Sequence, residues 1–337
     1  MISLHESAGW ATAACRRRPA CALGRSFSFP VVRHEYHDSV LLAEAVAALA
    51  PAPGRVFVDG TLGGGGHSEA LLRGGARVIG LDQDGDAIAY ASTRLAGWGG
   101  QFTAVRSNFA EACGVLDGLG VGSLDGVLLD LGVSSHQLDE AGRGFSFQQD
   151  GPLDMRMDVR GGRTAADLVN TLPAAELERI FRVYGEEPSA RRIAARLVED
   201  REGGSFVTTL QLARAVERVV PRTGRTHPAT RVFQALRLVV NRELEVLEAA
   251  LGAFAARLSV GGRLAVISFH SLEDRIVKQC FTRWSAPELD RPEWPAPRPN
   301  PEYGFRRVTR KAAAAGALEQ EANPRARSAK LRVVEKI

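Results

Sequence analysis

Val56-Phe57-Val58-Asp59-Gly60-Thr61-Leu62-Gly63-Gly64-Gly65-Gly66-His67-Ser68 is the stretch that decides the fold. Val56 to Val58 is apolar, β-branched and aromatic, which suits a buried strand. An acid and a glycine cluster follow. Ser68-Glu69-Ala70-Leu71-Leu72 then reads as a helix start with a serine cap. Strand, glycine-rich turn and helix start make a ligand cradle. Glycine lets backbone approach a ligand closely, and the helix end offers unpaired N–H groups.

The glycine spacing narrows the ligand. A dinucleotide fingerprint needs glycines at i, i+2 and i+5. Gly63 and Gly65 are followed by Ser68, and Gly64 and Gly66 by Glu69, so both registers lack the third glycine. The pattern Asp59, Thr61, Gly63, Gly65 has an acid with small residues at +2, +4 and +6. That pattern belongs to S-adenosylmethionine (SAM) enzymes, whose ligand has no pyrophosphate and carries a sulfonium. Val78-Ile79-Gly80-Leu81-Asp82 is a second strand, ending in an acid placed to accept from ribose hydroxyls.

Outward from this core, Leu41 to Leu49 reads as a helix that stops before Pro51. Asp86 to Leu95 is the next helix, Phe102 to Arg106 a third strand, and Asp125 to Asp130 a fourth. Strands alternating with helices predict right-handed βαβ units and a mostly parallel sheet, with the ligand at the strands' carboxyl ends. After Leu131 the rhythm breaks. Leu177, Ile180, Phe181 and Tyr184 mark one helical face; Ile193, Ala194, Leu197 and Val198 a second; Leu212, Val216, Val219 and Val220 a third. A Thr208/Gln211 capping box starts the third helix. One long helix is expected from Leu236 through Val240, Leu244, Leu247, Leu251 and Phe254 to Leu258, stopped by Gly261-Gly262. Arg263 to His270 is a fifth strand, Asp274 to Arg283 a helix, and Pro287 to Pro301 a loop. Strands near Phe305–Val308 and Leu331–Val334 complete a seven-stranded sheet.

The 337-residue chain is 45% apolar and 24% charged, an ordinary globular composition. No apolar run is long enough to span a bilayer. The formal charge of +4 and pI near 9.1 fit a polyanionic partner without demanding one. All but four of the 43 basic residues are arginine, a bias that a GC-rich genome also produces, so arginine placement says more than its number. Cys15, Cys21, Cys113 and Cys280 form no CxxC pair; Cys113 and Cys280 read as small buried hydrophobes in a reducing compartment. No metal site is legible. Residues 1–33 are acid-poor, and Arg16-Arg17-Arg18 interrupts any secretory signal. This stretch is expected to be a disordered extension or an upstream start.

Chemistry concentrates in three places. Asp130-Leu131-Gly132-Val133-Ser134-Ser135-His136-Gln137 brings a carboxylate, two hydroxyls and an amide to the cofactor mouth. Arg143-Gly144-Phe145-Ser146-Phe147 and Asp150 to Asp158 read as a binding loop, against the plainer alternative of a solvated linker. His270-Ser271-Leu272-Glu273-Asp274 leaves the fifth strand on the same rim; without a G-x-S-x-G elbow, a helix cap is the plainer reading. His227-Pro228 at a helix start could hold phosphate or simply begin the helix. Arg306, Arg307, Arg310, Lys311, Arg325 and Arg327 form basic clusters suited to an RNA backbone or to solvent.

DGTLGGGGHS, DGVLLDLGVSSHQLDEAGRGFSF, DGPLDMRMD, YGEEPSARRIA, HPATRVFQALR, GGRLAVISFHSLEDRIVK and NPRARSAKLR together resemble the bacterial 16S ribosomal RNA cytosine-N4 methyltransferase family, the RsmH/MraW type. The resemblance runs from about His34 to the C-terminus. It implies a class I SAM-dependent methyltransferase: an α/β, Rossmann-like domain over residues 34–137 and 226–337. An all-helical substrate-recognition insert would occupy 138–225. It also implies methyl transfer from SAM to the exocyclic amine of a cytidine in the decoding region, in the cytoplasm, on 16S rRNA or the small ribosomal subunit. No membrane is involved, and a homodimer is one assembly the reading admits. Carried over by motif, SAM contacts are Gly65, Gly66, His67, Asp82, Phe109, Asp130 and Gln137. The glycine turn has Leu62 and Gly64 where relatives often carry Phe and a basic residue.

The acceptor of the amine proton is not set by motif, because Asp130-Leu131-Gly132-Val133 stands where many amino-methyltransferases carry an (Asn/Asp/Ser)-Pro-Pro-aromatic motif. Asp130, Ser134 and Ser135, with Asp154 behind them, are the catalytic candidates. Phe145, Phe147 and Arg156 are candidates to stack on an exposed base. A non-catalytic, SAM-responsive RNA-binding assembly factor is the alternative from another class, and a dehydrogenase is a weaker one.

Overall fold

The computed structural model describes residues 39–222, 224 and 226–337, so the expectation for residues 1–33 lies outside the described residues. Helix α1 (Leu42–Leu49) ends at Ala50 in the left-handed region, just before Pro51. Strand β1 (Val56–Asp59), helix α2 (Gly66–Arg73), β2 (Arg77–Asp82), α3 (Gly85–Arg94), β3 (Phe102–Arg106), α4 (Ala112–Gly118) and β4 (Leu124–Asp130) follow in the expected alternation. The helical region holds α5 (Ser135–Asp139), α6 (Ala165–Thr171), α7 (Ala174–Val183), α8 (Ala190–Asp200), α9 (Thr209–Val219) and α10 (Ala229–Val240). The chain returns through α11 (Glu243–Arg257), β5 (Leu258–Ser268) and α12 (Ser271–Trp284). A small hairpin of β6 (Glu288–Leu289) and β7 (Arg298–Pro299) occupies the Pro-rich loop. Then come β8 (Phe305–Arg307), β9 (Ala313–Ala314), α13 (Ala317–Ala322) and β10 (Lys330–Lys336).

The sheet runs β3-β2-β1-β4-β5-β10-β8, with β9 as a short extra strand on β10. β1 to β5 pair in parallel, and β10 is antiparallel to both β5 and β8. Strand order reverses between β1 and β4, so a crevice opens at their carboxyl ends. Side chains of successive strand residues point to opposite faces. Phe57, Leu128, Ala265 and Ile267 therefore join the core under α1 and α2. Val58, Val127, Leu129, Leu264 and Val266 join the opposite core with α4, α11 and α12. Only glycine fits at position 126, because a Cβ there would lie 2.2 Å from the Phe57 ring.

A third core lies among the helices. Leu177, Ile180 and Phe181 of α7, Ile193, Ala194 and Leu197 of α8, and Leu212 and Val216 of α9 are buried together. The three expected faces meet there, and Thr208 and Gln211 form the expected capping box.

Three expectations are corrected. The single long helix is two, α10 and α11, broken at Asn241 and at Arg242, whose φ is 51°. The apolar steps of three and four run on across the break because each half is buried, but in different cores. Val232, Phe233 and Leu236 face the helical core, and Leu247, Leu251 and Phe254 face the sheet. The helical core thus extends through α10, beyond residues 138–225. Second, Gly261-Gly262 does not end the helix; it lies inside β5, where pairing with β4 shifts register between Leu124 and Gly126. Third, Cys113 is half-buried, whereas Cys280 is buried as expected.

The break is held by Asn241. Its Nδ2 donates to Met155 O (2.8 Å) and Arg237 O (2.9 Å), and its Oδ1 accepts the Met157 N–H at 2.8 Å. Asn241→Ala is expected to cost about 1–3 kcal/mol by stranding these partly buried groups. Urea unfolding monitored by circular dichroism would show a lower midpoint at unchanged slope, and a wild-type midpoint would contradict the latch.

Candidate active site

The glycine turn is stitched to three strand ends. Gly60 N–H donates to Leu128 O at 2.9 Å and Leu62 N–H to Leu81 O at 2.9 Å. Gly63 N–H donates to Asp82 Oδ2 at 2.9 Å, and Asp130 N–H donates to Thr61 Oγ1 at 2.6 Å. Asp59 anchors the turn from below and does not line the cleft. It is buried, and its carboxylate accepts the Ser68 hydroxyl at 2.7 Å and the Thr61 N–H at 3.3 Å. Burial, against these hydrogen bonds, pushes its pKa up to about 6.

Most of the expected cofactor residues line one cleft: Gly66, His67, Asp82, Phe109, Asp130 and Gln137. Gly65 instead backs the turn. It, and not the expected Ser68, caps α2, with φ 77°, and a Cβ there would sit 3.0 Å from Leu95. Asp82 accepts from Gly63 and Asp84 N–H groups, and burial raises its pKa to about 6. His67 is buried, with Nε2 3.2 Å from Val40 O and Nδ1 3.7 Å from Asp130 Oδ2. Asp130 Oδ1 is buried without a hydrogen-bond partner among the described residues. Burial, then the charges of Asp59 and Glu273, hold this carboxyl well above the usual carboxylate range.

The hydroxyls separate. Ser134 lines the cleft and caps α5; its Oγ accepts the Gln137 N–H while Gln137 Oε1 accepts the Ser134 N–H. Ser135 faces out of the cleft, where its hydroxyl meets the Arg325 guanidinium. Asp154 is also outside the cleft lining. Its two oxygens are taken by Arg156 at 2.8 and 2.7 Å, and the guanidinium outweighs burial to lower its pKa. The stacking candidates are engaged too. Phe145 is buried in the helical core, and Phe147 sits against His227 (4.6 Å) and Phe233 (4.8 Å). His227 itself is a cap, with Nδ1 accepting the Ala229 N–H and Nε2 2.6 Å from Glu217. On the fifth-strand rim, His270 caps α12, Asp274 pairs with Arg332 and Lys330, and Ser271 donates to Glu186. In the tail, Arg306 pairs with Glu335 and Arg325 with Asp139, while Arg307, Arg310, Lys311 and Arg327 are exposed.

Of the groups that build the far wall, the sequence reading missed Asp84, Asn241 and Glu243, while Arg143, Met157 and Glu273 stand in its expected loop and rim. Asp84 Oδ2 accepts from Gln137 Nε2 and from Arg143 Nη1, both at 2.8 Å. Arg143 also donates to the Arg156 and Met157 carbonyls, so one guanidinium ties α3 to the 154–158 loop. Met157, Asn241, Glu243 and Glu273 line the cleft. Burial raises the Glu243 pKa against its Arg237 partner; Glu273 is lowered, because hydrogen bonding and charge from His270 outweigh burial. The available signals were Asp84 two residues before Asp86, an N-cap spacing, and Asn241, a residue type that favours helix ends.

The cleft therefore presents Asp82, Asp130, Glu243 and Glu273 around a glycine turn. An acid-rich, partly apolar cleft with one unsatisfied carboxylate oxygen suits a ligand that is cationic and carries amine hydrogens.

Comparisons with known proteins identify the family. The model of the MraW methylase family matches residues 34–337. The chain is 53% identical over 304 residues to ribosomal RNA small subunit methyltransferase H of Anaeromyxobacter sp. (strain Fw109-5), covering 89% of this chain and 98% of that one. It is 51% identical over 308 residues to the protein of the same name from Geobacter sp. (strain M21), covering 90% and 99%. Among solved structures, an rRNA methylase from Streptococcus thermophilus aligns with TM-score 0.40 and 12% identity over 87% of this chain and 93% of that one.

Asp59 gives a pH test. In the fold it keeps its proton up to about pH 6, and unfolded only to its ordinary 3.8. Its contribution to stability is complete below the lower value and is lost as pH rises through the upper one. Asp59→Asn removes that loss. The stability of the variant relative to wild type should rise by about 1–3 kcal/mol between pH 4.5 and pH 7.5 in chemical denaturation. A difference that does not change with pH would contradict this.

Proposed function

From the premise that the chain belongs to the MraW methylase family, whose members are SAM-dependent methyltransferases, we propose that it methylates the N4 amine of a cytidine in the decoding region of 16S rRNA. The substrate class rests on the names of the relatives, which are small-subunit rRNA methyltransferases over nearly their whole length. The family resemblance supplies the cytidine and its position. Proposed with it are an assembled or assembling small subunit as partner and a cytoplasmic location. Among the described residues no helix is long and apolar enough to cross a membrane.

The observation that carries the reading is Asp130, a cleft-lining residue at the carboxyl end of β4 whose buried Oδ1 has no hydrogen-bond partner among the described residues. The cleft residues fit SAM. The turn at Gly63, Gly64 and Gly66, with His67, Asp82 and Phe109, would hold it, and Gln137 walls the site through its bond to Asp84. Bound there, SAM supplies an electrophilic methyl on a cationic sulfonium. The surrounding carboxylates favour that charge.

Cytosine N4 is a weak nucleophile because its lone pair is delocalised into the ring. A carboxylate oxygen accepting an N–H draws the nitrogen toward a pyramidal, reactive geometry, and fixed proximity supplies much of the rest. Asp130 is the acceptor in this reading. Ser134, which lines the cleft, is a secondary polar contact in this reading, and Ser135, held by Arg325, and Asp154, held by Arg156, are given no part in it. The exposed Arg307, Arg310, Lys311 and Arg327 are available to an RNA backbone.

The test uses labelled SAM and small subunits lacking the modification, followed by nucleoside digestion and mass analysis. N4-methylcytidine is the expected product. Asp130→Asn should lower turnover about 100-fold or more. Label absent from RNA, with SAM still bound in calorimetry, would replace methyl transfer by the non-catalytic assembly-factor reading. Full turnover in the Asn variant would remove Asp130 as acceptor.

A further inference from the structure

The residue that receives the proton after Asp130 stands beside it. We propose that His67 is a positioning and relay residue: it takes from Asp130 the proton that the methylated amine releases. This rests on the methyl-transfer reading.

The geometry has three parts. Asp130 presents two different oxygens: Oδ1 is buried with no hydrogen-bond partner among the described residues, and Oδ2 lies 3.7 Å from His67 Nδ1. The other ring nitrogen, Nε2, is 3.2 Å from the Val40 carbonyl. A carbonyl only accepts, so Nε2 carries the hydrogen and the Nδ1 of neutral His67 keeps its lone pair toward Asp130. A base held in one tautomer by a third group is the arrangement that proton-transfer sites use. Pairs of this kind stand long without substrate and shorten in the complex.

The transfer balances. As the new C–N bond forms and the C–S bond breaks, its electron pair stays on sulfur and the nitrogen holds one proton too many. That proton goes to Asp130 Oδ1. Rotation about the Asp130 Cβ–Cγ bond carries the protonated oxygen to the His67 side, and that proton passes to Nδ1, which gives an imidazolium beside a restored carboxylate. Release to water on product departure resets both. A second base is useful here because Asp59 of β1 and Glu273 of α12 both face Asp130 with like charge and favour its protonated form. On its own helix, Glu69 is turned to Arg73 and Arg94 and does not compete. Without an outlet, Asp130 would stay protonated and could not accept again.

Two measurements test the relay. His67→Gln keeps an amide donor for Val40 but has no proton-accepting nitrogen. It should lower the single-turnover rate about 100-fold at saturating SAM. The wild-type rate should rise with pH in two steps belonging to the pair, and the variant's in one. His67→Asn repeats this arm where the Gln variant fails to fold. The second arm needs no turnover: histidine nitrogen NMR of the chain, with His67 assigned by its absence in the variant. Replacing Asp130 by Asn should lower the His67 midpoint by at least about half a pH unit, because a neighbouring carboxylate stabilises the imidazolium. An unchanged midpoint, a wild-type rate in His67→Gln, or a rate that saturating SAM restores would each overturn the relay. A wild-type chain that methylates no RNA overturns the methyl-transfer reading instead, and the NMR arm then decides the coupling alone.

Discussion

A carboxylate oxygen buried without a partner among the described residues is the constraint around which the cleft is arranged. Leaving such a group unsatisfied costs on the order of 1–3 kcal/mol or more, and Asp130 Oδ1 is in that position. The surrounding fold keeps it there. Asp130 N–H is held by Thr61 Oγ1, the turn carrying Thr61 is held by the ends of β2 and β4, and the base of the turn is held by buried Asp59. Each bond fixes backbone rather than neutralising the acid, so the carboxylate is positioned without being satisfied.

The opposite wall is built by a different device. The 154–158 loop would be free to swing if its own composition decided. Asn241 holds it from the α10–α11 break, and Arg143 holds it from the side of α3. Met155, a buried residue with φ 65°, turns the chain so that Asp154 faces Arg156 while Met157 faces the cleft. Cofactor wall and helical core are thus linked through three polar side chains, Asp84, Arg143 and Asn241.

What was legible in the sequence is what is set locally. The β1 strand, its glycine turn and α2 follow from a short apolar run and from residues that tolerate or need special backbone. The helical faces follow from period, and the Thr208/Gln211 cap from a spacing of three. What was not legible depends on partners distant along the chain. Arg143 and Asp84 are 59 positions apart, and Asn241 and Met155 are 86 apart. Ser135, Asp154, Phe145 and Phe147 have the residue types of a reactive or stacking surface, but Arg325, Arg156 and the helical core take them up. The helix break was hidden because burial in two separate cores keeps the same apolar period on both sides of Asn241.

The central claim is that Asp130 Oδ1 is where the accepting amine docks. The most direct measurement is a structure of the chain with the demethylated cofactor and cytidine, in which one distance decides. The N4 nitrogen is expected within hydrogen-bond reach of Oδ1, about 3 Å. Asp130 bonded instead to the cofactor's own amino group, with N4 facing another side chain, would contradict it.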